Sequence, residues 1–324
     1  MVAIAKTPRN VVVIFTIITC ALILFSTEGF SLWFRSRMNS ERFSHEPILY
    51  IIPGCGLANR LQVLICSLIH NRNIRVYWEK SVNLPVAFEE LFTYPLVQIK
   101  SLDTREITGM PFYYTKNLEK YGVFKNLIRQ TRRAGAGAGA GAGGAMMIYN
   151  MKSIPKDKSA VFNSCHRVCS KNADYFETAA SIIESVVPDI KLPIERFFYE
   201  KVGVGPNKRH SIGVHIRSVD IIKNKRINVP MKFDVQKKRA EIAAHARPDT
   251  VIFLATDDPS NINILKKWFP LVYQLPRSSY DRNDPRSIKE AVGDLYMLYL
   301  CDTIVGTPGS SFSELPLLTT KHQK

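Results

Sequence analysis

The sequence is poor in cysteine, and it has neither the cysteine–histidine spacing of a zinc finger nor an RNA-binding signature motif. Six cysteines in 324 residues are too few for a disulfide-dense secreted miniprotein. Apolar residues make up 46% and charged residues 22%, which excludes a disordered chain, a coiled coil and a collagen. At about 100–200 residues per domain, the length suits one large domain or two smaller ones.

Negative charge is scarce relative to positive charge: 44 Lys and Arg against 28 Asp and Glu give a formal net charge of +16. Such a surplus favours anionic partners, such as a phosphorylated ligand or an anionic membrane, or it serves solubility alone. The basic residues are spread along the chain and nucleic-acid motifs are missing, so we predict no nucleic-acid partner.

Long apolar runs are also rare, and one uncharged segment, residues 11–27, stands out near the N-terminus. It continues to Phe34 with only Glu28 as an interruption, and a membrane-spanning helix needs about 20 apolar residues. A cleaved signal peptide is the alternative, but no Ala-x-Ala-like cleavage site follows. We therefore predict a cytoplasmic tail over 1–10, an uncleaved signal anchor over 11–34 and a stem over 35–47.

The cysteines indicate structural roles rather than metal binding. Cys165 and Cys169 are close enough in sequence to pair in an oxidising compartment. As zinc ligands they would need two more partners, and only His166 lies nearby, so we predict no metal site. Three further cysteines in apolar surroundings are predicted to lie in the core: Cys55, Cys66 and Cys301.

The residues after the stem predict a strand–helix–strand unit. A short apolar run at 48–52 is closed by Pro53-Gly54, and a helix with leucines on one face follows. With the next strand at 74–78, this unit has the size that a parallel sheet requires. Three segments follow from this pattern: an N-terminal Rossmann-like domain over 48–133, a Gly/Ala linker over 134–145 and a helical connecting region over 146–207.

Strands and helices alternate again over 208–324, which predicts a second Rossmann-like domain. Its predicted strands are 212–216, 251–255, 271–273 and 303–305, and its predicted helices are 235–246, 261–269, 287–300 and one that begins at Ser310. Ligands bind at the carboxyl ends of strands in such folds, so functional side chains are expected there.

A glycine-containing loop at 54–59, Gly-Cys-Gly-Leu-Ala-Asn, joins the first strand to the first helix. Glycines let a backbone approach a ligand closely, and a helix N-terminus offers free N–H groups to a phosphate. The loop lacks the third glycine and the well-placed acidic residue of a dinucleotide-binding motif, so a tight turn without ligand remains the alternative.

A histidine and an arginine lie at the end of the predicted strand 212–216. In a strand, His215 and Arg217 point to the same side. A buried arginine needs an anionic partner, and a guanidinium can hold a phosphate through two parallel hydrogen bonds. The alternative is an internal salt bridge from Arg217 to Asp220 or to another carboxylate.

Two adjacent carboxylates, Asp257 and Asp258, directly follow the predicted strand 251–255 and Thr256. Carboxylates at this place bind a metal, cap a helix or accept hydrogen bonds from a ligand. The chain contains no Asp-x-Asp motif, which argues against a metal-held diphosphate.

Two more features suit a nucleotide. Asp294 lies in the apolar stretch of the predicted helix 287–300, where its carboxylate needs a donor. Guanine offers two parallel N–H donors on one edge, and a core salt bridge is the alternative. Ser310 and Ser311 follow a strand and a glycine, where their hydroxyls suit a phosphate or cap the final helix.

The order of these motifs resembles the fucosyltransferase superfamily of the core α-1,6-fucosyltransferases, the rhizobial chitin-oligosaccharide 6-fucosyltransferase and the protein O-fucosyltransferases. The stretch 254–260, Leu-Ala-Thr-Asp-Asp-Pro-Ser, is similar to the α-1,6 enzymes almost letter for letter. Residues 214–217, Val-His-Ile-Arg, match the phosphate-binding strand of the family, and the spacing from Asp294 through Asp302 to Ser310 is kept.

The resemblance spans roughly residues 48–80 and 208–318. It implies a GT-B-like α/β fold in which two Rossmann-like domains with parallel sheets face each other, here behind an N-terminal transmembrane helix. It further implies an inverting transfer of fucose from GDP-fucose to a glycan or glycoprotein acceptor, with no metal or other cofactor. A single-pass type II Golgi membrane protein with a lumenal catalytic domain fits this interpretation.

Site roles are implied by the resemblance position by position. His215 and Asp294 would hold guanine, Arg217 would bind the β-phosphate and stabilise the leaving GDP, and Ser310 and Ser311 would bind the diphosphate region. Asp257 and Asp258 match positions that the family needs for activity, and Gly56, Asn59 and Arg60 match its N-terminal nucleotide-sugar loop.

Two positions depart from the α-1,6 pattern. Its second arginine is Ser218 here, and the glutamate proposed as its base falls near Lys225. Glu241 and Asp234 are the alternative bases. The missing base favours a second interpretation, a non-catalytic protein of the same fold that binds a GDP-sugar or a glycan. The glycine loop alone favours a third, a nicotinamide-dependent oxidoreductase.

Overall fold

A computed structural model describes residues 47–319, apart from 71–72, 82–83, 96, 100–109, 115–144, 148–149, 166, 219–234 and 282. The predicted tail and anchor, nearly all of the stem and most of the Gly/Ala linker lie outside the described residues. Pro47–Lys324 forms one compact unit. Among the residues that are described, no helix is long and apolar enough to cross a membrane.

The first half of this unit is built on a parallel sheet of six strands in the order β3-β2-β1-β6-β4-β5. The strands are β1 Leu49–Pro53, β2 Ile74–Val76, β3 Gln98–Ile99, β4 Phe112–Tyr114, β5 Ala145–Met147 and β6 Ala160–Ser164. The helices of this half are α1 Leu57–His70, α2 Ala173–Glu184 and α3 Pro188–Val202, with short 3-10 turns at Phe88–Glu90, Met151–Ser153 and Gly205–Asn207.

Burial on both faces explains why β1 is a strand. Leu49 and Ile51 belong to one apolar cluster, and Tyr50 and Ile52 belong to another on the opposite face. Alternation of side chains across the sheet, with apolar residues at every position, is typical of a central parallel strand. Helix α1 packs its leucines into the first cluster.

The second half carries a parallel sheet of four strands in the order β10-β7-β8-β9. The strands are β7 Ser211–Ile216, β8 Val251–Thr256, β9 Val272–Tyr273 and β10 Thr303–Val305. The helices are α4 Val235–Ala243, α5 Ser260–Lys266, α6 Pro285–Leu300 and α7 Ser311–Leu317. The expected α/β architecture with parallel sheets is therefore confirmed.

Strand register brings the predicted functional residues to one edge of the second sheet. His215 lies opposite Ala255, Ile216 lies opposite Thr256, and β10 pairs with the other side of β7. The segments that follow β7, β8 and β10 consequently meet at the carboxyl ends of these strands.

The region predicted as a helical connection, 146–207, contains the helices α2 and α3, but it also contributes β6. This strand pairs with β1 on one side and β4 on the other, so it is central to the first sheet. The sheet also extends into the predicted linker, because Ala145 begins β5.

The predicted cysteine roles need correction. Cys55 is bonded to Cys165 and Cys66 to Cys169, each with a Cα–Cα distance of 5.4 Å. Cys165 and Cys169 therefore do not pair with each other, because β6 lies beside β1 and brings each cysteine against the β1–α1 region. Cys301 is buried outside any disulfide, as predicted for the core.

Candidate functional site

Thr307 lies in the loop after β10 and links it to the segment after β7, at the carboxyl edge of the second sheet. Its hydroxyl donates to the carbonyl of His215 at 2.8 Å and accepts from the backbone N–H of Arg217 at 3.1 Å. The loop after β10 thereby fixes the backbone that presents the two side chains predicted to bind a nucleotide. Sequence reasoning did not single out this threonine, although its place just after a strand was visible.

His215 is buried, with 6% of its surface exposed, and its ring centroid lies 5.0 Å from that of Phe312. Its Nδ1 atom is buried without a hydrogen-bond partner. Burial, together with the nearby charges of Arg217, Lys238 and Arg277, lowers the pKa of His215 to about 3. The imidazole is therefore neutral at physiological pH and retains an unused polar atom.

Ser310 occupies the N-cap position of α7, yet its hydroxyl caps nothing. The residue is 4% exposed, and its Oγ atom is buried without a hydrogen-bond partner. Its backbone N–H donates to the Thr307 carbonyl at 3.1 Å, which closes the turn before the helix. Capping, the alternative role predicted for this hydroxyl, is thus not what it does here. Ser311 is the first residue of α7 and is half-buried.

A buried lysine that sequence reasoning missed supports the same loop. Lys238 of α4 donates to Glu241 Oε2 at 2.6 Å and to the carbonyl of Gly306 at 2.8 Å. Gly306 lies so close to α7 that a Cβ there would stand 2.7 Å from Ser313 Oγ. Glu241, one of the two alternative bases, therefore already holds a lysine.

The two adjacent aspartates act differently in the structure. Asp257 Oδ1 accepts the backbone N–H of Ser218 at 2.7 Å and so ties the end of β8 to the end of β7. Asp258 Oδ1 accepts from both the N–H and the hydroxyl of Ser260, at 2.9 and 2.7 Å. Asp258 thus binds the first residue of α5, although the N-cap position itself is Pro259, which has no side-chain cap.

Asp294 is one of the most deeply buried carboxylates of the described chain, at 2% exposure. It accepts a hydrogen bond from Arg277 Nη2, so the internal salt bridge that was an alternative for this residue is present. Burial raises the pKa of Asp294 to about 6, and the charge of Arg277 opposes that rise. The carboxylate is ionised at neutral pH.

Arg60 turns inward and organises the glycine loop. Its guanidinium donates to the Cys55 carbonyl at 3.0 Å, the Glu79 carbonyl at 2.6 Å and Ser81 Oγ at 2.9 Å. It also lies 5.3 Å from the ring centroid of Trp78. Burial lowers the pKa of Arg60 to about 10, so it remains charged.

The loop itself leaves room beside its second glycine. A Cβ at Gly56 would meet nothing within 4 Å, whereas Cys55 takes the left-handed conformation, with φ of 65°. The Cys55–Cys165 disulfide covalently ties this residue to the end of β6. Asn59 lies half-buried in the first turn of α1. The loop therefore offers an open backbone face at Gly56.

Helix α7 connects this edge with the first half of the chain. Glu314 accepts from Gln62 of α1 at 3.1 Å, from Arg167 at 3.3 Å and from Lys171 at 2.5 Å. These three donors lower the pKa of Glu314 despite its partial burial. The helix that follows Ser310 is thus held in place by three donors from the first half.

Within the described ranges, no group of three or more histidine, cysteine, aspartate or glutamate side chains could hold a metal ion. Asp220, Lys225 and Asp234 lie outside the described residues. The predicted pairing of Arg217 with Asp220 and the alternative base Asp234 consequently stay predictions.

No protein-family model and no curated protein matches the chain. Among solved structures, the chain is similar to the fucosyltransferase NodZ from Bradyrhizobium, with 17% identity and a TM-score of 0.53 over 85% of this chain and 94% of NodZ. It is also similar to NodZ α-1,6-fucosyltransferase soaked with GDP-fucose, with 18% identity and a TM-score of 0.51 over 84% and 92% of the two chains. At these identities the likeness concerns the fold alone: the chain has an α/β fold with parallel sheets that is similar to the fold of these fucosyltransferases.

Proposed function

We propose that the protein is a glycosyltransferase that transfers fucose from GDP-fucose to a glycan or glycoprotein acceptor, with inversion and without a metal. The observation that carries the proposal is a pair of unpartnered buried polar atoms, His215 Nδ1 and Ser310 Oγ. A buried polar atom without a partner costs about 1–3 kcal/mol, so two at one sheet edge favour a polar ligand there.

The ligand is proposed to be a nucleotide sugar because the fold supports one. NodZ has been co-crystallised with GDP, and its crystals have been soaked with GDP-fucose. In the present chain, His215 and Asp294 are proposed to hold guanine, and Ser310 and Ser311 the diphosphate. Gly56 and Asn59 are proposed to approach the donor from the glycine loop, with Arg60 keeping that loop in shape.

Arg217 is proposed to carry the main catalytic effect. When fucose leaves, negative charge builds on the β-phosphate, and a guanidinium already in position stabilises that charge more in the transition state than in the ground state. Its backbone is held by Thr307, and the adjacent Ser218 is held by Asp257. Asp257 is therefore proposed to position this segment, and Asp258 to shape the start of α5.

Disulfides support an oxidising compartment, in which such bonds form and persist. Together with the apolar segment 11–34, they support the proposal of a type II Golgi membrane protein with the catalytic part in the lumen. Reduced thiols at the four bonded cysteines in the protein isolated from its native membrane would contradict this location.

A second candidate function is binding of a GDP-sugar or glycan without transfer. The observation that favours it is that three carboxylates near the site already accept hydrogen bonds from other protein groups. The acceptor–donor pairs are Asp258–Ser260, Glu241–Lys238 and Asp294–Arg277. A general base must be able to reach the acceptor hydroxyl, and these carboxylates already hold other groups.

The test is release of GDP from GDP-fucose by the full-length protein with a panel of glycan acceptors. We expect acceptor-dependent release, and Arg217→Ala is expected to reduce kcat by about 10²–10³-fold, as removal of a preorganised donor does. Arg286→Ala is the matched control, because this arginine is exposed and, among the described residues, its ion pair is with the neighbouring Asp284. Tight GDP binding without release would favour the second candidate, and a lack of GDP binding would overturn both the transferase and the GDP-sugar-binding protein.

A further inference from the structure

Arg277 and Asp294 form the most enclosed ion pair at the proposed base site. Their side chains are 10% and 3% exposed, and Arg277 Nη2 donates to Asp294 Oδ2. A nucleobase therefore has no access to the carboxylate while this pair is in place.

The segment that carries Arg277 lies between β9 and α6 and is anchored to α6. The backbone N–H and hydroxyl of Ser278 both donate to Glu290 Oε1, at 2.9 and 2.6 Å. Glu290 lies one helical turn before Asp294 on the same face of α6. This anchor places the guanidinium of Arg277 against the carboxylate.

The guanidinium of Arg277 is less well satisfied than that of a structural arginine in the same chain. Arg60 has acceptors for its Nε, Nη1 and Nη2 atoms. Arg277 Nε, in contrast, is buried without a partner. His215, whose Nδ1 is also unpartnered, lies near enough for the charge of Arg277 to lower its pKa. Buried polar atoms without a partner are rare in folded proteins, and a ligand that binds beside them would supply the missing partners.

The hydrogen-bonding groups of Arg277 and Asp294 indicate which ligand could replace the guanidinium. A carboxylate accepts two parallel N–H bonds, and a guanidinium presents such a pair of donors. Guanine presents the same arrangement, through its N1–H and its exocyclic amino group. Arg277 and guanine therefore require the same carboxylate oxygens and cannot both use them fully.

We propose that Arg277 is an internal competitor for guanine, which pairs with Asp294 in the ligand-free protein and leaves it when a guanine nucleotide binds. The inference rests on the proposed function, since it concerns the base of the same donor. Tyr280, which is 36% exposed, already lies with its ring centroid 5.3 Å from Arg277 Cζ in the paired state, and we expect it to remain an aromatic partner when the guanidinium leaves Asp294.

Competition of this kind reduces the apparent affinity for the nucleotide. The measured Kd equals the intrinsic Kd divided by the fraction of protein in which Asp294 is free of Arg277. Removing the guanidinium raises that fraction and simultaneously leaves a buried carboxylate unpaired in the ligand-free state. The variant should therefore be less stable alone and more strongly stabilised by GDP.

The experiment measures the Kd of GDP and of ADP, and the Tm with and without GDP, for the full-length protein and Arg277→Met. We expect GDP to bind about tenfold more tightly to the variant, with a lower Tm of the free protein and a larger GDP-induced shift. ADP should not gain affinity, because adenine lacks the paired donors on that edge. Arg286→Met, which removes an exposed arginine, should leave all four quantities unchanged.

Unchanged or weaker GDP binding by Arg277→Met, with Arg286→Met like the wild type, would overturn the proposal and make Arg277 a purely structural partner. Binding of GDP by neither protein would overturn both the proposed function and the exchange. Should Arg277→Met fail to fold, Glu290→Ala keeps the guanidinium but removes its anchor at Ser278. It is expected to tighten GDP binding to a smaller extent, and a folded Glu290→Ala protein with the wild-type Kd would overturn the exchange.

Discussion

Single side chains at the edge of the second sheet divide into those that are satisfied by the protein and those that are not. Ser313 belongs to the first kind, because its hydroxyl accepts from the Thr307 N–H at 3.2 Å. Ser310, three residues earlier, belongs to the second. Two serines of the same helix end can therefore be compared directly.

Ser310→Ala should raise the Tm of the ligand-free protein, since it removes a buried hydroxyl that makes no hydrogen bond there. GDP affinity should fall by about tenfold if that hydroxyl binds the diphosphate, which corresponds to about 1.4 kcal/mol. Ser313→Ala should show the opposite pattern, a lower Tm with less change in GDP affinity. Thermal unfolding and calorimetric titration of both variants check this, and equal behaviour of the two would contradict it.

The pKa of His215 predicts a specific response of stability to acid. It lies at about 3 in the folded protein, below the ordinary value of 6.5, so the unfolded chain binds the proton more readily. The stability that the folded protein gains from a neutral, buried His215 is fully present above pH 6.5. It is lost as the pH falls towards 3. In His215→Asn this loss should be absent. Between pH 6 and 4, the unfolding free energy of the wild type should therefore fall by up to about 1.4 kcal/mol per pH unit more than that of the variant. Parallel pH profiles of unfolding free energy would contradict the burial of a neutral imidazole.

At the scale of elements, Gly213 and Gly56 differ in the space around them. Gly213 lies where two elements pack closely, and Gly56 lies where a side chain or a ligand has room. A Cβ at Gly213 of β7 would stand 2.9 Å from Leu298 Cδ2, so α6 packs directly on the strand backbone there. A Cβ at Gly56 would meet nothing within 4 Å.

Gly213→Ala should lower the unfolding free energy by about 1–3 kcal/mol, the usual cost of overpacking. Gly56→Ala should leave stability unchanged but weaken binding of GDP-fucose, because the added methyl fills the open face of the glycine loop. Denaturant unfolding and donor titration of both variants separate the two effects. Undiminished donor affinity in Gly56→Ala would exclude an approach of the donor to this loop.

Elements with local signals could be predicted from the sequence. The strand 303–305 was predicted with its observed bounds, and β7, β8 and α6 were found to within a few residues, because each combines an apolar run or helical spacing with clear turn residues. Strand β6 was missed because its sequence, Ala-Val-Phe-Asn-Ser, has only a short apolar start and is a strand through its pairing with β1 and β4. Partners about 110 and about 50 residues away along the chain leave no local signal.

The sequence indicated which residues lie at the candidate site, but it did not indicate which other residues they contact. His215, Arg217, Asp257 and Ser310 do meet at one sheet edge, as the order of strands implies. Arg277 could not be found from the sequence, because it lies in an irregular segment and its role depends on Asp294 being buried on a neighbouring helix. The sequence around Lys238 is likewise typical of a basic, solvent-exposed helix face. The lysine is nevertheless 7% exposed and donates a hydrogen bond to the carbonyl of Gly306.

At the scale of the whole molecule, one apolar cluster runs through both sheets. It contains Leu49 and Ile51 of β1, Phe253 of β8 and Leu295 of α6. The ion-pair network at Glu314 and the two disulfides add links between segments that are distant in sequence. Unfolding of the two halves is therefore expected to be coupled.

The disulfides should make a measurable contribution to this stability. Cys66→Ala combined with Cys169→Ala removes one bond and should lower the unfolding free energy by about 2–5 kcal/mol, because the open chain gains conformational freedom when unfolded. A reducing agent, which opens both bonds, should destabilise the wild type by more than this double substitution does. Tm values with and without reductant check this, and a Tm insensitive to reductant would contradict a structural role for these bonds.

The placement of the two disulfides has a further consequence for a protein that has been cut by a protease. Both bonds join the segment before residue 67 to the segment after residue 164. A single cleavage anywhere between Cys66 and Cys165 therefore yields two fragments that remain one covalent molecule. Such a nicked protein would migrate as the intact chain on a non-reducing gel and separate into two bands only after reduction, so an accidental cut in this interval can escape notice in a preparation that still binds its ligand.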